Sequence, residues 1–261
     1  MPKIQFIGNV PVPHEKLMEH VNLSKARGLP YVNDTPPHGR KLAVVGGGPS
    51  VLEHVEELRS YTDIWAVNGA CRWLREQGIE STLLTLDPCA FLAPRVSGAT
   101  KALLSSRCHP AVFEALEGCD ITLFDVLQDG PEGSTLGADG IWASISTACV
   151  VFHLAMVLGY TKTVFYGCES SYTNTTHAYM DEAELQEFRF IVECGGQEYL
   201  TAPDLYCQAM QMAPFFRLAI CDSFTERSGG LLRAMIANED HDIVKVSPAL
   251  LAGLEPIKEA A

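Results

Sequence analysis

From Lys41 onward the chain alternates short apolar runs of β character with runs patterned as helix. "KLAVVGG" leads into "SVLEHVEELRSY" and "DIWAVNG" into "ACRWLREQG", followed by "STLLTLD", "KALLSS", "AVFEALEG" and "DITLFDV". Alternation of this kind predicts a mostly parallel central sheet with helices on both faces, a Rossmann-like three-layer α/β fold. The run "IWASISTACVVFHLAMVLGY", residues 141–160, matches the ~20 residues that a bilayer requires, but it carries Ser144, Ser146, Thr147 and His153 and ends in Gly159. It therefore reads as a buried helix over about 143–158, with "KTVFYGCE" as the next strand. Two β-rich runs around Gly195 and Gly196 signal a hairpin. "PDLYCQAMQMAPFFRLA" reads as a helix interrupted by Pro214, "GGLLRAMIAN" follows it, and the tail "LEPIKEAA" looks frayed.

Residues 1–40 break the alternation. They are rich in Pro, Asn, His and charge, and end in "YVNDTPPHGR", which reads as an extended arm before one domain over 41–261.

Composition narrows the function classes. Of 261 residues 47% are apolar and 20% charged, ordinary for a globular chain, and the formal charge is −13 with no basic run. A nucleic-acid partner is not expected, because backbone affinity comes from clustered Lys and Arg. An anionic membrane surface is disfavoured for the same reason, and no membrane span is expected. The nine cysteines never stand as C-x-x-C and are read as reduced thiols in a core. The first residues lack the apolar segment of a secretory signal, so a cytoplasmic location is expected. Self-association is left open.

The segment "KLAVVGGGPSVLEHV" at 41–55 is the first candidate site. A strand, a glycine turn and a helix bring free backbone N–H groups and a positive helix end together, which suits an anion, phosphate above all. Gly46, Gly47 and Gly48 allow close approach, and Ser50 with Glu53 forms an S-x-x-E capping pattern after Pro49. The turn does not fit a dinucleotide fingerprint: Val51 stands where a third glycine belongs, and the second strand ends in Asn68 rather than an acid. No Lys follows the glycines as a Walker A loop requires.

What remains is a site for a mononucleotide or sugar nucleotide at the carboxyl ends of the strands. Asn68, Asp87 and Glu169 are expected there, and Ser146 is counted with the nucleotide-binding set. Asn68 before Gly69 and Asp87 before Pro88 also fit plain turn roles. Asp87 and Glu169 together would suit Mg²⁺ against nucleotide phosphates. The loop "YGCESSYTNTTHAYMDE", 166–182, offers His177 as a general acid or base, since its ordinary pKa of about 6.5 is near neutrality; a solvated surface loop is the alternative. Cys108 beside His109 is better read as a buried thiol than as a thiolate.

Together, "VVGGGPSVL", "IWAVNGACRWLREQGIESTLLTLDP", "STACVVFHLAMVLGYTKTVFYGCESSYTNTTHAY" and "GGLLRAMI" resemble the 6-hydroxymethylpterin diphosphokinase MptE-like family over most of 41–237. The first motif is also similar to CMP-sialic-acid-dependent bacterial sialyltransferases. The resemblance implies that Gly46 to Ser50 bind nucleotide phosphates, that Asn68 and Asp87 line the same cleft, and that Glu169 and His177 complete it. Archaeal members transfer diphosphate from ATP to a hydroxymethyl pterin with Mg²⁺, related domains occur in flagellin-modifying glycosyltransferases, and phage relatives often have no assigned activity. Glu169 stands where the family pattern leads one to expect Asp.

The expectation is a nucleotide-dependent transferase acting on a nucleoside phosphate or sugar nucleotide and a small hydroxyl acceptor. Its rival is a non-catalytic nucleotide-binding accessory protein of phage or surface-modification origin.

Overall fold

The structure is a computed structural model that describes residues 12–127, 141–142, 146–172, 189–218 and 223–246. Its centre is a sheet of β1 (His38–Val45), β2 (Asp63–Val67), β3 (Thr82–Thr85), β4 (Lys101–Ser105), β5 (Asp120–Phe124), β8 (Tyr160–Tyr166) and β11 (Phe224–Glu226). Every neighbouring pair is parallel, in the order β11-β8-β1-β2-β3-β4-β5. The chain therefore winds outward from β1 to β5, then returns to the other side of β1 through β8. The switch point lies between β1 and β8.

Strand pleating sorts the core into two layers, because successive side chains point to opposite faces. On β1, Leu42 and Val44 join Phe152, Phe165, Met212 and Leu231 on one face, while Ala43 and Val45 join Leu58, Leu74 and Val112 on the other. The first layer belongs to α6 (Thr147–Val157), α7 (Pro203–Arg217) and α8 (Gly230–Ala237); the second to α2 (Val55–Leu58), α3 (Ala70–Glu76), α4 (Ala93–Val96) and α5 (Pro110–Ala115). The three-layer Rossmann-like architecture read from the alternation is what forms.

Helix α6 buries eight of its 11 residues, as a helix apolar on all sides must. Among the described residues no helix is long and apolar enough to cross a membrane. The hairpin forms as β9 (Phe190–Cys194) and β10 (Gln197–Thr201), with Gly195 and Gly196 both at positive φ in the turn. Antiparallel β12 (His241–Val246), not foreseen from the sequence, extends it to three strands, and β6 (Val126–Leu127) pairs with β7 (Ile141–Trp142).

Three local expectations are corrected. Helix α7 runs through Pro214 instead of stopping there: the missing N–H frees only the carbonyl of exposed Met210, and Leu218 N–H still reaches the Pro214 carbonyl at 3.0 Å. The segment before β1 is not simply an extended arm. It contains α1 (His14–Lys25), whose Leu17, His20, Val21 and Ser24 are buried on one stripe, and Tyr31 then bridges Leu123 of β5. Finally, Ser50 does not cap a helix. With Pro49 fixed at the first helical position, Gly48 becomes the cap residue, and a 3₁₀ turn over Pro49–His54 precedes α2.

Candidate functional site

The carboxyl ends of β1 and β8 meet backbone to backbone. Gly46 N–H donates to the Tyr166 carbonyl and Gly48 N–H to the Gly167 carbonyl, each at 2.8 Å. A Cβ on Gly46 would lie 2.3 Å from the Gly167 oxygen, so the close approach that the glycines permit is spent first on the neighbouring strand end.

Glu169 occupies the place expected for a phosphate. Its Oε1 accepts the Ser50 N–H at 2.5 Å, and a Cβ on Gly48 would fall 1.5 Å from its Oε2. The residue is only 4% exposed, and Oε2 has no hydrogen-bond partner; neither has the Ser50 hydroxyl. Burial, reinforced by Glu226 and opposed by Ser50, holds the Glu169 carboxyl above the ordinary range. The turn thus holds a carboxyl group of its own chain, with the N–H groups of Gly46, Gly48, Ser50 and Val51 all engaged.

Around this turn the structure gathers several of the residues singled out in the sequence. Asn68, after β2, takes φ +51 and accepts a hydrogen bond from the Thr147 hydroxyl at 3.5 Å. Ser146 is the N-cap of α6, accepting from Ala148 N–H at 3.2 Å and donating to Gln208 Oε1. Gln208 Nε2 in turn donates to the Ser170 hydroxyl at 3.0 Å, and Ser170 stands at φ +56. Asn68 and Ser170 are the two non-glycine residues with positive φ among the described residues. Such backbone is uncommon for serine and concentrates at functional sites. Gln208 was not anticipated; a lone glutamine in an amphipathic helix carries no signal of its own.

Asp87 stays apart. Its Oδ1 accepts the Cys89 N–H at 2.9 Å, the turn role that Asp before Pro also fits. β3 is three strand positions from β8, roughly 14 Å at sheet spacing, whereas Mg²⁺ holds each oxygen at about 2.0–2.1 Å. Asp87 and Glu169 therefore do not fit a shared Mg²⁺ in this arrangement. Among the described residues no three metal-ligating side chains cluster. His177 lies outside the described residues.

Arg107 escaped the sequence reading. It follows β4, is 4% exposed, and donates from Nε to the Leu86 carbonyl at 2.9 Å. Only its place at the end of an apolar strand could have marked it. Neighbouring Cys108 is fully buried, and burial pushes its thiol up to about 12 despite Arg107, so it holds no thiolate near neutrality.

Comparison with family models, with curated proteins and with solved structures gave no match to this chain.

Proposed function

We propose that the chain is a nucleotide-dependent transferase: a nucleoside phosphate or sugar nucleotide lies across the carboxyl ends of β2, β1 and β8 and gives up a diphosphoryl or glycosyl group to a small hydroxyl acceptor. One observation carries this reading. The glycine turn, the capped start of α6, two left-handed non-glycine residues and a buried carboxyl converge at the switch point of an open parallel sheet, where such folds hold their ligands. The likeness of the motifs to MptE-like proteins supports the same class.

In this reading the donor phosphate takes the Ser50 N–H from Glu169 and displaces its carboxyl group from the turn. Asn68 and Ser146 hold the polar part of the nucleotide. The acceptor hydroxyl oxygen attacks the phosphorus or anomeric carbon, its proton passes to His177 or to the freed Glu169 carboxylate, and the nucleotide leaves with the bonding electron pair. No step is routed through Mg²⁺, because the acids expected to hold it do not converge.

A second reading has its own observation. A turn already filled by a carboxylate of the same chain also fits a protein that keeps the fold and does no chemistry.

Thermal unfolding against ATP, GTP, CTP, UDP and CMP- or UDP-sugars, with and without Mg²⁺, separates the two. A ligand at ~100 times its Kd adds about 2.7 kcal/mol of stability. The transferase reading expects a clear rise with at least one of these nucleotides and slow turnover of it in the presence of a hydroxyl acceptor. Unchanged unfolding with every nucleotide favours the non-catalytic reading.

A further inference from the structure

Among the described residues, Arg107 is the one Lys or Arg, and Glu169 the one Asp or Glu, that is buried. Both lie at the carboxyl edge of the sheet, yet they do not pair with each other, because β4 is four strand positions from β8. A buried guanidinium without a salt-bridge partner is costly. Buried, strongly perturbed charges of this kind cluster at functional sites, where a charged ligand can supply the missing partner.

The environment of Arg107 is built, not accidental. Nε is fixed on the Leu86 carbonyl at 2.9 Å, and the backbone is held at both sides, with Arg107 N–H donating to the Ser105 hydroxyl at 3.4 Å and the Arg107 carbonyl facing His20 Nδ1 at 3.3 Å. The acidic groups acting on it are the buried Cys108 thiol and Asp87, which forms no salt bridge with it and spends Oδ1 on Cys89 N–H. Among the described residues Nη1 and Nη2 have no hydrogen-bond partner, and neither is a fully enclosed polar atom. The small exposed fraction of the residue therefore includes its charged tip. A planar fork of free N–H donors, held rigid by its Nε, is shaped for two oxygens of one anion.

We propose that Arg107 is an oxyanion-binding residue, receiving a phosphate or carboxylate group at the carboxyl ends of β3 and β4. The site is separate from the glycine turn, three strand positions from β1, and does not depend on any nucleotide binding there. Asp87 sets its strength: a carboxylate within electrostatic reach of the guanidinium, though not paired with it, competes with the incoming anion.

The test uses the full chain at constant ionic strength, with inorganic phosphate, pyrophosphate and malonate as probes and chloride as the reference, and reads thermal unfolding and titration calorimetry. Saturable stabilisation by at least one probe over chloride is expected; preference for phosphate or for malonate tells which oxyanion the site takes. Arg107→Gln should weaken that binding roughly tenfold or more, the scale of a lost charge-assisted pair. Should the Gln variant fail to fold, Arg107→Lys keeps the charge and loses the fork, and should still bind several-fold more weakly. Asp87→Asn preserves the turn and removes the competing charge, so it should bind more tightly than the wild type. No stabilisation beyond chloride, equal binding by a folded Arg107 variant, or unchanged or weaker binding by Asp87→Asn would each overturn the assignment. Nucleotide binding at the glycine turn should survive Arg107→Gln undiminished while oxyanion binding is lost; loss of both together would overturn the separation of the two sites.

Discussion

A methyl group at position 48 would lie 1.5 Å from Glu169 Oε2, far inside contact distance, although Gly48 itself has an ordinary negative φ. The glycine is there for space and not for conformation, and the space belongs to a side chain 121 residues later in the chain. Gly48→Ala should therefore destabilise the protein by roughly 1–3 kcal/mol, the scale of an overpacked site, in urea unfolding. Combined with Glu169→Ala, which removes the obstructing group, most of that loss should be recovered, and the cycle should show strong coupling. Full stability in Gly48→Ala alone would mean that the end of the Glu169 side chain yields the turn without cost. The glycines were legible in the sequence, and so was the strand-end position of Glu169. That the acid would fill the turn was not, since pairing of β1 with β8 is a long-range event that no local pattern encodes. Arg107 was illegible for a related reason: its burial depends on β3 lying next to β4.

At the scale of elements, the alternating runs predicted the central strands and the helix α6 well, because a strand covered on both faces and a core helix both read as unbroken apolar segments. The same logic fails for α1. Its buried stripe at 17, 20, 21 and 24 includes only two apolar residues, Leu17 and Val21, with His20 and Ser24 completing it. Leu17 is 1% exposed, so Leu17→Ala should cost about 2–5 kcal/mol. Leu23 on the opposite side is 46% exposed, and Leu23→Ala should stay within about 0.5 kcal/mol of the wild type. Parallel thermal melts of the two variants decide whether α1 is an integral element or a tether; equal melting temperatures would make it a tether.

For the molecule as a whole, two of the buried titrating groups, His20 and Glu169, pull stability in opposite directions along the pH scale. Burial lowers the His20 pKa, so the unfolded chain takes up its proton first, and the stability that neutral His20 supports is lost as pH falls below about 6.5. His109, whose ring centroid is 4.9 Å away, and Lys16 add to that penalty, while Glu19 and the Arg107 carbonyl offset part of it. Burial raises the Glu169 carboxyl, so its contribution is fully present below the ordinary carboxylate value of about 4.3 and is lost as pH rises through its folded value. Glu169→Gln should accordingly match the wild type in acid and exceed it in stability at pH 7 to 8, by chemical denaturation across pH. A variant less stable than the wild type at neutral pH would show that the charged form is welcome in the turn.

The bridge between Tyr31 and Leu123 has a consequence for how copies of the chain meet. Leu123 N–H donates to the Pro30 carbonyl and Val32 N–H to the Leu123 carbonyl, both at 2.8 Å, so the chain's own leading segment covers the outer side of β5. At the far side of the sheet β11 offers only three residues. An open parallel sheet has two rows of idle backbone groups on which another molecule could grow a strand, the usual seed of aggregation. Among the described residues one row of the central sheet is capped from within at Leu123 and the other spans only three residues. A longer idle edge is that of β12 in the three-stranded sheet, and strand continuation between copies would start there.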